Sequence, residues 1–212
     1  MDEIDKLNRI VQRGKPLKKG EYLYRANDAF DAVFAIRSGA VKAISVSEKG
    51  DEQITGFYLP GEVVGMDGLA DNIYTNSVIA LETSSVCEIP FHRLEELSVQ
   101  VPTLQRHFLQ LMSREITQDQ QLIALLSRGS AETKVATLLL SISSSNSRRN
   151  LSANVFILPM SRIDIGNFLG LTIETVSRIF TRLQKNKLIT VDKREVSIND
   201  LAALRNISNG DE

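Results

Sequence analysis

The sequence contains little cysteine and no long apolar run, and both absences narrow the class of protein. Its 212 residues include one cysteine, Cys87, so no disulfide can form within the chain, as is usual in a reducing compartment. A membrane-spanning helix needs about 18 consecutive apolar residues, and no stretch of the sequence is that long. The first residues show no basic segment followed by an apolar one, so no signal peptide is expected. These absences predict a cytoplasmic protein with no membrane partner.

Positive and negative charges nearly balance over the whole chain. The net charge is −1, whereas many nucleic-acid-binding proteins are strongly basic. Residues 155–205 depart from this average, because they contain eight Lys or Arg and five Asp or Glu. This local excess is either ordinary surface variation or the footprint of a domain that binds nucleic acid.

Apolar runs separated by turn residues fill most of the N-terminal half. A short amphipathic opening helix is expected first, with the apolar residues Ile4, Leu7, Ile10 and Val11. Strand-like runs then follow at 32–36, 40–44, 53–58 and 77–81, with glycine at most of the corners between them. This regular spacing predicts a closed or rolled antiparallel sheet, the roll, whose interior is the natural place for an effector.

A long helix is predicted from Pro102 to about Arg128. One stripe of this helix has the steps of four and three that are typical of a coiled coil. We call this stripe the seam, and its residues are Met112, Ile116, Asp119, Ile123 and Leu126. A second stripe can pack on the roll and consists of Leu104, Phe108, Leu111, Gln118 and Leu122.

The two stripes leave two interpretations open, a helix buried within one domain and a helix that forms a homodimer. Asp119 favours a dimer of adjustable strength. Two carboxylates that face each other across a twofold axis repel unless they are protonated or solvated.

Residues 161–185 have the turn and capping signals of a helix-turn-helix. A helix over 131–143 and a polar loop over 143–150 are expected before it. Ser161 and Asp164 resemble a capping box, and Gly170 permits the bend between the two helices. Thr172 then caps a second helix. Its expected buried face is Ile173, Val176, Ile179, Phe180 and Leu183. Beyond it, residues 188–198 alternate around a turn and predict a β-hairpin wing.

Side chains that can bind bases occupy the exposed start of this second helix. Glu174, Ser177 and Arg178 lie within about one turn, and the first turn of a recognition helix meets base edges in the major groove. Arginine can bond to guanine, glutamate to cytosine, and serine to several bases. Contacts to the DNA backbone are expected from Thr172, Thr175, Arg182, Lys185 and Lys187. The alternative is a solvated helix face with an ion pair between Glu174 and Arg178.

Together the patterns predict an α+β protein in three parts. These are an N-terminal antiparallel β-roll of the cyclic-nucleotide-binding type over 1–101, a long dimerisation helix over 102–128, and a C-terminal winged helix-turn-helix over 129–212. No nucleophile, acid–base pair or phosphate-binding loop stands out, so we do not expect an enzyme. His92 and His107 lack spaced partners for a metal, and both are expected on helix surfaces.

The string 164–178 resembles the recognition motif of the fumarate and nitrate reduction regulators (FNR), a branch of the cyclic-AMP receptor protein (CRP) superfamily. Similar strings at 36–39, 50–57 and 82–91 extend the resemblance over nearly the whole chain. It implies a bacterial homodimer on a palindrome of the TTGAT-N4-ATCAA type, with Glu174, Ser177 and Arg178 at the bases of each half-site. It also implies an activator of oxygen-responsive or anaerobic genes.

The resemblance further implies contact with RNA polymerase. One implied contact is a loop formed by Val46, Ser47, Glu48, Lys49, Gly50, Asp51 and Glu52. The other is a patch near Thr83 and Ser152.

Two positions depart from the relatives that the resemblance suggests. An Arg-Ser pair holds the phosphate in the cyclic-nucleotide branch, and the aligned positions here are Tyr74 and Thr75, which predicts no nucleotide binding. The oxygen-sensing branch holds a [4Fe-4S] cluster with four cysteines, of which Cys87 matches one. We therefore expect no cofactor in the chain as given, and a cluster only if an N-terminal cysteine segment has been lost. Without such a segment, Cys87 is a small buried apolar residue.

Two other functions stay open. A regulator of the same architecture can respond to a different small molecule or redox signal bound in the roll. A cyclic-nucleotide-binding-like module can instead regulate proteins without DNA, although the exposed Glu174, Ser177 and Arg178 disfavour that class.

Overall fold

The N-terminal strands pair into two antiparallel sheets in the computed structural model, which describes residues 9–210. In chain order they are β1 (Gln12–Arg13), β2 (Tyr22–Tyr24), β3 (Ala32–Ser38), β4 (Val41–Val46), β5 (Glu52–Tyr58), β6 (Val63–Val64), β7 (Ser77–Ala80) and β8 (Ser85–Pro90). One sheet has the order β1-β8-β3-β6 and the other β2-β7-β4-β5. The expected roll is confirmed, whereas Ile4 and Leu7 of the expected opening helix lie outside the described residues.

The core of the roll lies between these sheets and is partly aromatic. Its buried residues include Val41 of β4 and Val78 of β7, which are both fully buried. The ring of Tyr74 stacks on that of Tyr24 with centroids 3.8 Å apart, and Phe34 packs beside them. These rings therefore lie in the core of the roll, the region in which the sequence predicts an effector site.

Two helices follow the sheets, α1 (Phe91–Gln100) and α2 (Pro102–Arg128). Phe108 of α2 packs on Phe91 with ring centroids 6.0 Å apart, and Tyr58 of β5 donates a hydrogen bond to Glu115 at 3.1 Å. One side of α2 therefore packs on the roll, as predicted, although Leu111 and Gln118 of the expected stripe are exposed. His92 and His107 lie exposed on these helices, as expected.

The chain divides into two compact units, Met1–Gln118 and Asp119–Glu212. The second unit contains α3 (Ala131–Arg148), β9 (Val155–Ile157), α4 (Arg162–Leu169), α5 (Ile173–Lys185), β10 (Ile189–Asp192), β11 (Glu195–Ile198) and α6 (Leu201–Asn209). Its sheet has the order β10-β11-β9, so the predicted hairpin wing is confirmed and gains a third strand. The core of this unit includes Leu139 of α3 and Leu204 of α6, both fully buried.

The prediction of a loop over 143–150 is wrong for most of these residues, because α3 continues to Arg148. Ser143, Ser145 and Asn146 are buried on the face that begins with Val135 and Leu139. Serine and asparagine have modest helix propensities, and packing of one helix face overrides such preferences. The helix ends only beyond Arg148, where Asn150 adopts a left-handed backbone conformation with φ of 59°.

None of the helices within residues 9–210 has the length and apolar character needed to cross a membrane.

Gly166 of α4 is predicted to tolerate no side chain. A Cβ at this position would lie 2.6 Å from the carbonyl oxygen of Leu171 in the turn between α4 and α5. Overpacking of this kind costs about 1–3 kcal/mol, which exceeds the gain of up to about 1 kcal/mol that alanine brings to a helix. Gly166→Ala should therefore lower the melting temperature in a circular-dichroism melt.

Gly14→Ala is the matched control, because a Cβ there meets no atom within 4 Å. An unchanged melt for Gly166→Ala would contradict the close packing of this turn.

Candidate nucleic-acid interface

The first helix of the helix-turn-helix, α4, is fixed at both ends by local hydrogen bonds. Ser161 accepts from the backbone N–H of Asp164 at 3.1 Å, and the Asp164 carboxylate accepts from the backbone N–H of Ser161 at 2.9 Å. Gly170 ends the helix in a left-handed conformation with φ of 65°. The predicted capping box and glycine bend are both confirmed.

The second helix, α5, has one buried face and one exposed face. Thr172 caps it by accepting from the backbone N–H of Thr175 at 3.2 Å. Four of the five residues predicted for its buried face are buried: Val176, Ile179, Phe180 and Leu183. The expectation for Ile173 is wrong, since 40% of its surface is exposed. Ile173 is the first residue of the helix and lies at the margin of the packed face.

The side chains predicted to contact bases all lie on the exposed face of α5. Glu174, Ser177 and Arg178 are exposed, and none of them belongs to the core of the unit. Arg178 donates to the hydroxyl of Thr175 at 3.1 Å, rather than to Glu174 as the alternative interpretation expected. A carboxylate, a hydroxyl and a guanidinium are therefore presented together from the first turns of the helix.

The residues predicted to contact the DNA backbone surround this face. Thr172 and Thr175 form the N-terminal cap, while Lys185 and Lys187 are exposed at the other end of α5. Lys187 has a left-handed backbone conformation with φ of 59°, directly after the C-cap residue Asn186. Arg182 is also exposed, but its guanidinium donates to the carboxylate of Glu132 in α3 at 2.7 Å.

Sequence reasoning missed a cation that joins the two helices. The guanidinium carbon of Arg162, the first residue of α4, lies 3.1 Å from the ring centroid of Phe180 in α5. Its Nη1 atom is buried without a hydrogen-bond partner, and burial lowers the pKa of Arg162 to about 10. A cation over an aromatic face is attractive, so this contact helps to hold α4 on α5. No sequence signal distinguishes Arg162 from the other basic residues of the segment.

The seam residues on α2 are largely exposed. Ile116 is 56% exposed and Ile123 64%, while Met112 and Leu126 are half-buried. Leu109, seven residues before Ile116, is 59% exposed and extends the same row. The prediction missed it, although the heptad repeat points to it. Partial desolvation raises the pKa of Asp119 in this row, although its side chain is exposed.

The position expected to align with a phosphate-binding arginine lies in the aromatic core of the roll. The hydroxyl of Tyr74 donates to the carbonyl oxygen of Ala32 at 2.7 Å, and burial raises the pKa of Tyr74 to about 12. The backbone N–H and the hydroxyl of Thr75 both donate to one oxygen of Asp67, at 3.1 and 2.8 Å. The Asp67 carboxylate thus already accepts the two hydrogen bonds that Thr75 could otherwise donate to a phosphate.

The residues expected to contact RNA polymerase are exposed. The loop 46–52 joins β4 to β5, and its turn is closed by the Ser47 hydroxyl, which accepts from the N–H groups of Lys49 and Asp51. Thr83 is exposed between β7 and β8 of the first unit. Ser152 is exposed in the second unit, where its hydroxyl accepts from the N–H of Val155 at 3.0 Å.

Cys87 is half-buried in β8, between Arg13 of β1 and Ala35 of β3. Within residues 9–210, no group of three or more His, Cys, Asp or Glu side chains could hold a metal ion. One thiolate does not satisfy an iron–sulfur cluster, which needs four protein ligands. The residues described here therefore do not fit such a cluster.

Comparison with known proteins matches both units to families. Residues 15–100 match the cyclic nucleotide-binding domain, and residues 133–207 match the Crp-like helix-turn-helix domain. The transcriptional activator protein FnrA of Stutzerimonas stutzeri is 52% identical over 210 residues, which cover 99% of this chain and 86% of the relative. The anaerobic regulatory protein of Haemophilus influenzae is 45% identical over 202 residues, which cover 95% and 79%. The solved structure of FixK2 from Bradyrhizobium japonicum superposes with a TM-score of 0.83 at 28% identity, covering 93% and 97%.

The aromatic core of the roll and the Asp67 carboxylate predict that cyclic AMP does not bind. Tyr74 and Tyr24 occupy the core, and Asp67 adds a negative charge beside Thr75, where a phosphate would need a cation. Millimolar cyclic AMP should leave the melting temperature unchanged, because a ligand that does not bind the native state cannot stabilise it. An upward shift that saturates with cyclic AMP concentration would contradict this prediction.

Proposed function

Because this chain belongs to the FNR-type family of CRP/FNR transcription regulators, we propose that it activates genes needed when oxygen is scarce, as a homodimer on palindromic DNA. Membership follows from identities of 45–52% over almost the whole chain to relatives that include FnrA and an anaerobic regulatory protein. The chain is a DNA-binding transcription regulator with a helix-turn-helix domain. We propose its dimeric state, its target sequence and the signal to which it responds.

The observation that carries this proposal is the exposed face of α5. Its opposite face is held in the core by Val176, Ile179 and Leu183, so α5 cannot rotate to hide its polar side chains. In a TTGAT half-site, Arg178 would donate two hydrogen bonds to the guanine, and Glu174 would accept from the paired cytosine. Ser177 would bond to a neighbouring base, because a hydroxyl can both donate and accept.

Five residues around this face are proposed to fix the position of the helix on the DNA backbone. They are Thr172, Thr175, Arg182, Lys185 and Lys187. Contacts of this type carry no sequence information, but they set register and make affinity depend steeply on salt.

The seam is proposed as the dimer interface. Its exposed isoleucines, Ile116 and Ile123, form an apolar row that a monomer would leave in water. The same row in a second copy would cover it, and a twofold dimer places two recognition helices on successive half-sites of a palindrome. The three-part division into 1–101, 102–128 and 129–212 describes the proposed roles of sensing, pairing and DNA binding.

The remaining proposals concern the partner enzyme and the signal. The exposed loop 46–52, with Thr83 and Ser152, is proposed as the contact surface for RNA polymerase. For the signal, Cys87 supplies one thiolate, and the described residues provide no further ligands for an iron–sulfur cluster.

Arg178 is predicted to read the guanine of each half-site. Replacing that G·C pair should cost the wild-type protein about 1–3 kcal/mol of binding free energy per half-site. Arg178→Ala should weaken binding to the original site by a similar amount and should discriminate less between the two sites, because only Glu174 would still read this base pair. Fluorescence anisotropy on short duplexes measures both effects.

Lys185→Gln is the matched control for this experiment. It removes a charge from the same helix and should weaken binding to both duplexes alike. Retention of full discrimination by Arg178→Ala would contradict the assignment.

Asp119 is predicted to weaken the dimer. Its raised pKa means that the folded chain favours the protonated carboxyl more than the unfolded chain does. The dimer should therefore strengthen as the pH falls toward this raised pKa, where the repulsion between the two carboxylates disappears. Asp119→Ala should shift the monomer–dimer equilibrium toward dimer in analytical ultracentrifugation and remove this pH dependence.

Gln120→Ala, at an exposed neighbouring position outside the seam, should change neither property. The same equilibrium and pH profile for Asp119→Ala and wild type would refute the role of Asp119.

A further inference from the structure

An ion pair outside the proposed base contacts joins α5 to α3. The Nη1 atom of Arg182 lies 2.7 Å from Oε2 of Glu132, although 50 residues separate the two in sequence. Arg182 lies four residues after Arg178 and eight after Glu174, so all three follow one side of the helix. Arg182 lies about one helical turn beyond Arg178. If Arg178 contacts bases, Arg182 is therefore within reach of the DNA backbone. The carboxylate of Glu132 therefore binds a guanidinium that lies on the proposed DNA-binding side of α5.

The surroundings of Glu132 favour a fixed negative charge. Glu132 lies in the first turn of α3, two residues after the N-cap residue Ser130. The positive end of the helix dipole stabilises a carboxylate at this position. Glu132 is also the more buried partner, because 23% of its side chain is exposed, against 62% for Arg182.

The exposure of Arg182 indicates that the pair contributes little to the stability of the fold. Ion pairs that solvent screens in this way add little to folding. Other interactions remain without this pair: Val135 of α3 is fully buried, and the Lys134 ammonium donates to the carbonyl oxygen of Leu169 in α4 at 3.5 Å. Loss of the Glu132 charge should leave the unit folded, so its effect on DNA can be measured separately.

We propose that Glu132 is an electrostatic brake on DNA binding, in which its carboxylate competes with a DNA phosphate for Arg182. The brake lowers the affinity for every DNA sequence and leaves the preference among bases unchanged, because Arg182 meets the backbone and not a base edge. This inference rests on the proposed function, since it requires that α5 faces DNA.

The test compares wild type, Glu132→Gln, Arg182→Gln and the double variant on a TTGAT palindrome and on a scrambled duplex. Glu132→Gln should bind both duplexes more tightly than wild type and respond more steeply to salt. One additional phosphate contact per protomer increases the loss of affinity between 50 and 200 mM salt about threefold, and roughly tenfold for a dimer. Arg182→Gln should weaken binding to both duplexes alike, because it removes a backbone contact and leaves the Glu132 carboxylate unpaired, and it should abolish the gain from Glu132→Gln in the double variant.

Two controls isolate the ion pair from other causes. Glu195→Gln removes the same charge from an exposed position on β11 of the same unit, and it should not reproduce the gain. Thermal melts should show that every variant is fully folded at the temperature of the binding assay, which excludes loss of folding as the cause of a changed affinity.

Several results would overturn the brake. One is unchanged affinity and salt dependence for Glu132→Gln, and another is a gain that persists in the double variant, since Glu132 would then act without Arg182. Weaker binding of Glu132→Gln to the palindrome alone would assign the pair to helix positioning instead. Equal binding of wild type to both duplexes would refute the proposed base recognition while the variant comparison still tests the brake. Absence of wild-type binding to either duplex would refute both.

Discussion

Burial of one face of α5 is the constraint on which the account of this protein depends. Val176, Ile179, Phe180 and Leu183 pack in the core of the second unit, and each buried side chain of this kind contributes about 1.5–3 kcal/mol. An exposed ion pair contributes at most about 1 kcal/mol. No arrangement of the surface charges can therefore rotate the helix, and the apolar face determines that Glu174, Ser177 and Arg178 point outward. The outward presentation of these three side chains is a consequence of core packing.

The helix-turn-helix could be predicted from the sequence almost to single residues because its signals are local. The Ser161–Asp164 box, Gly170 and Thr172 act within three or four residues of the atoms that they satisfy. The continuation of α3 through Ser143 and Asn146 could not be predicted in this way, because burial against the rest of the unit overrides the preference of these residues for loops. The short strand β9 was missed for a similar reason, since its pairing partner β11 lies far along the chain.

The charged contacts of the second unit were the least predictable part of the candidate site. A spacing of four favoured an ion pair between Glu174 and Arg178, whereas Arg178 bonds to Thr175 and Arg182 bonds to Glu132 on another helix. The contact of Arg162 with the ring of Phe180 likewise joins residues from two helices. Such contacts depend on how the helices pack, and a sequence pattern describes only one helix at a time.

The central claim is that Arg178 meets the guanine of each half-site in the major groove, and dimethyl sulfate footprinting tests it most directly. This reagent methylates N7 of guanine in the major groove and N3 of adenine in the minor groove. With saturating wild-type protein on a TTGAT palindrome, the account predicts protection of the guanine N7 in both half-sites and unchanged reactivity at adenine N3. A stable complex in which that guanine reacts as fast as in free DNA would contradict it.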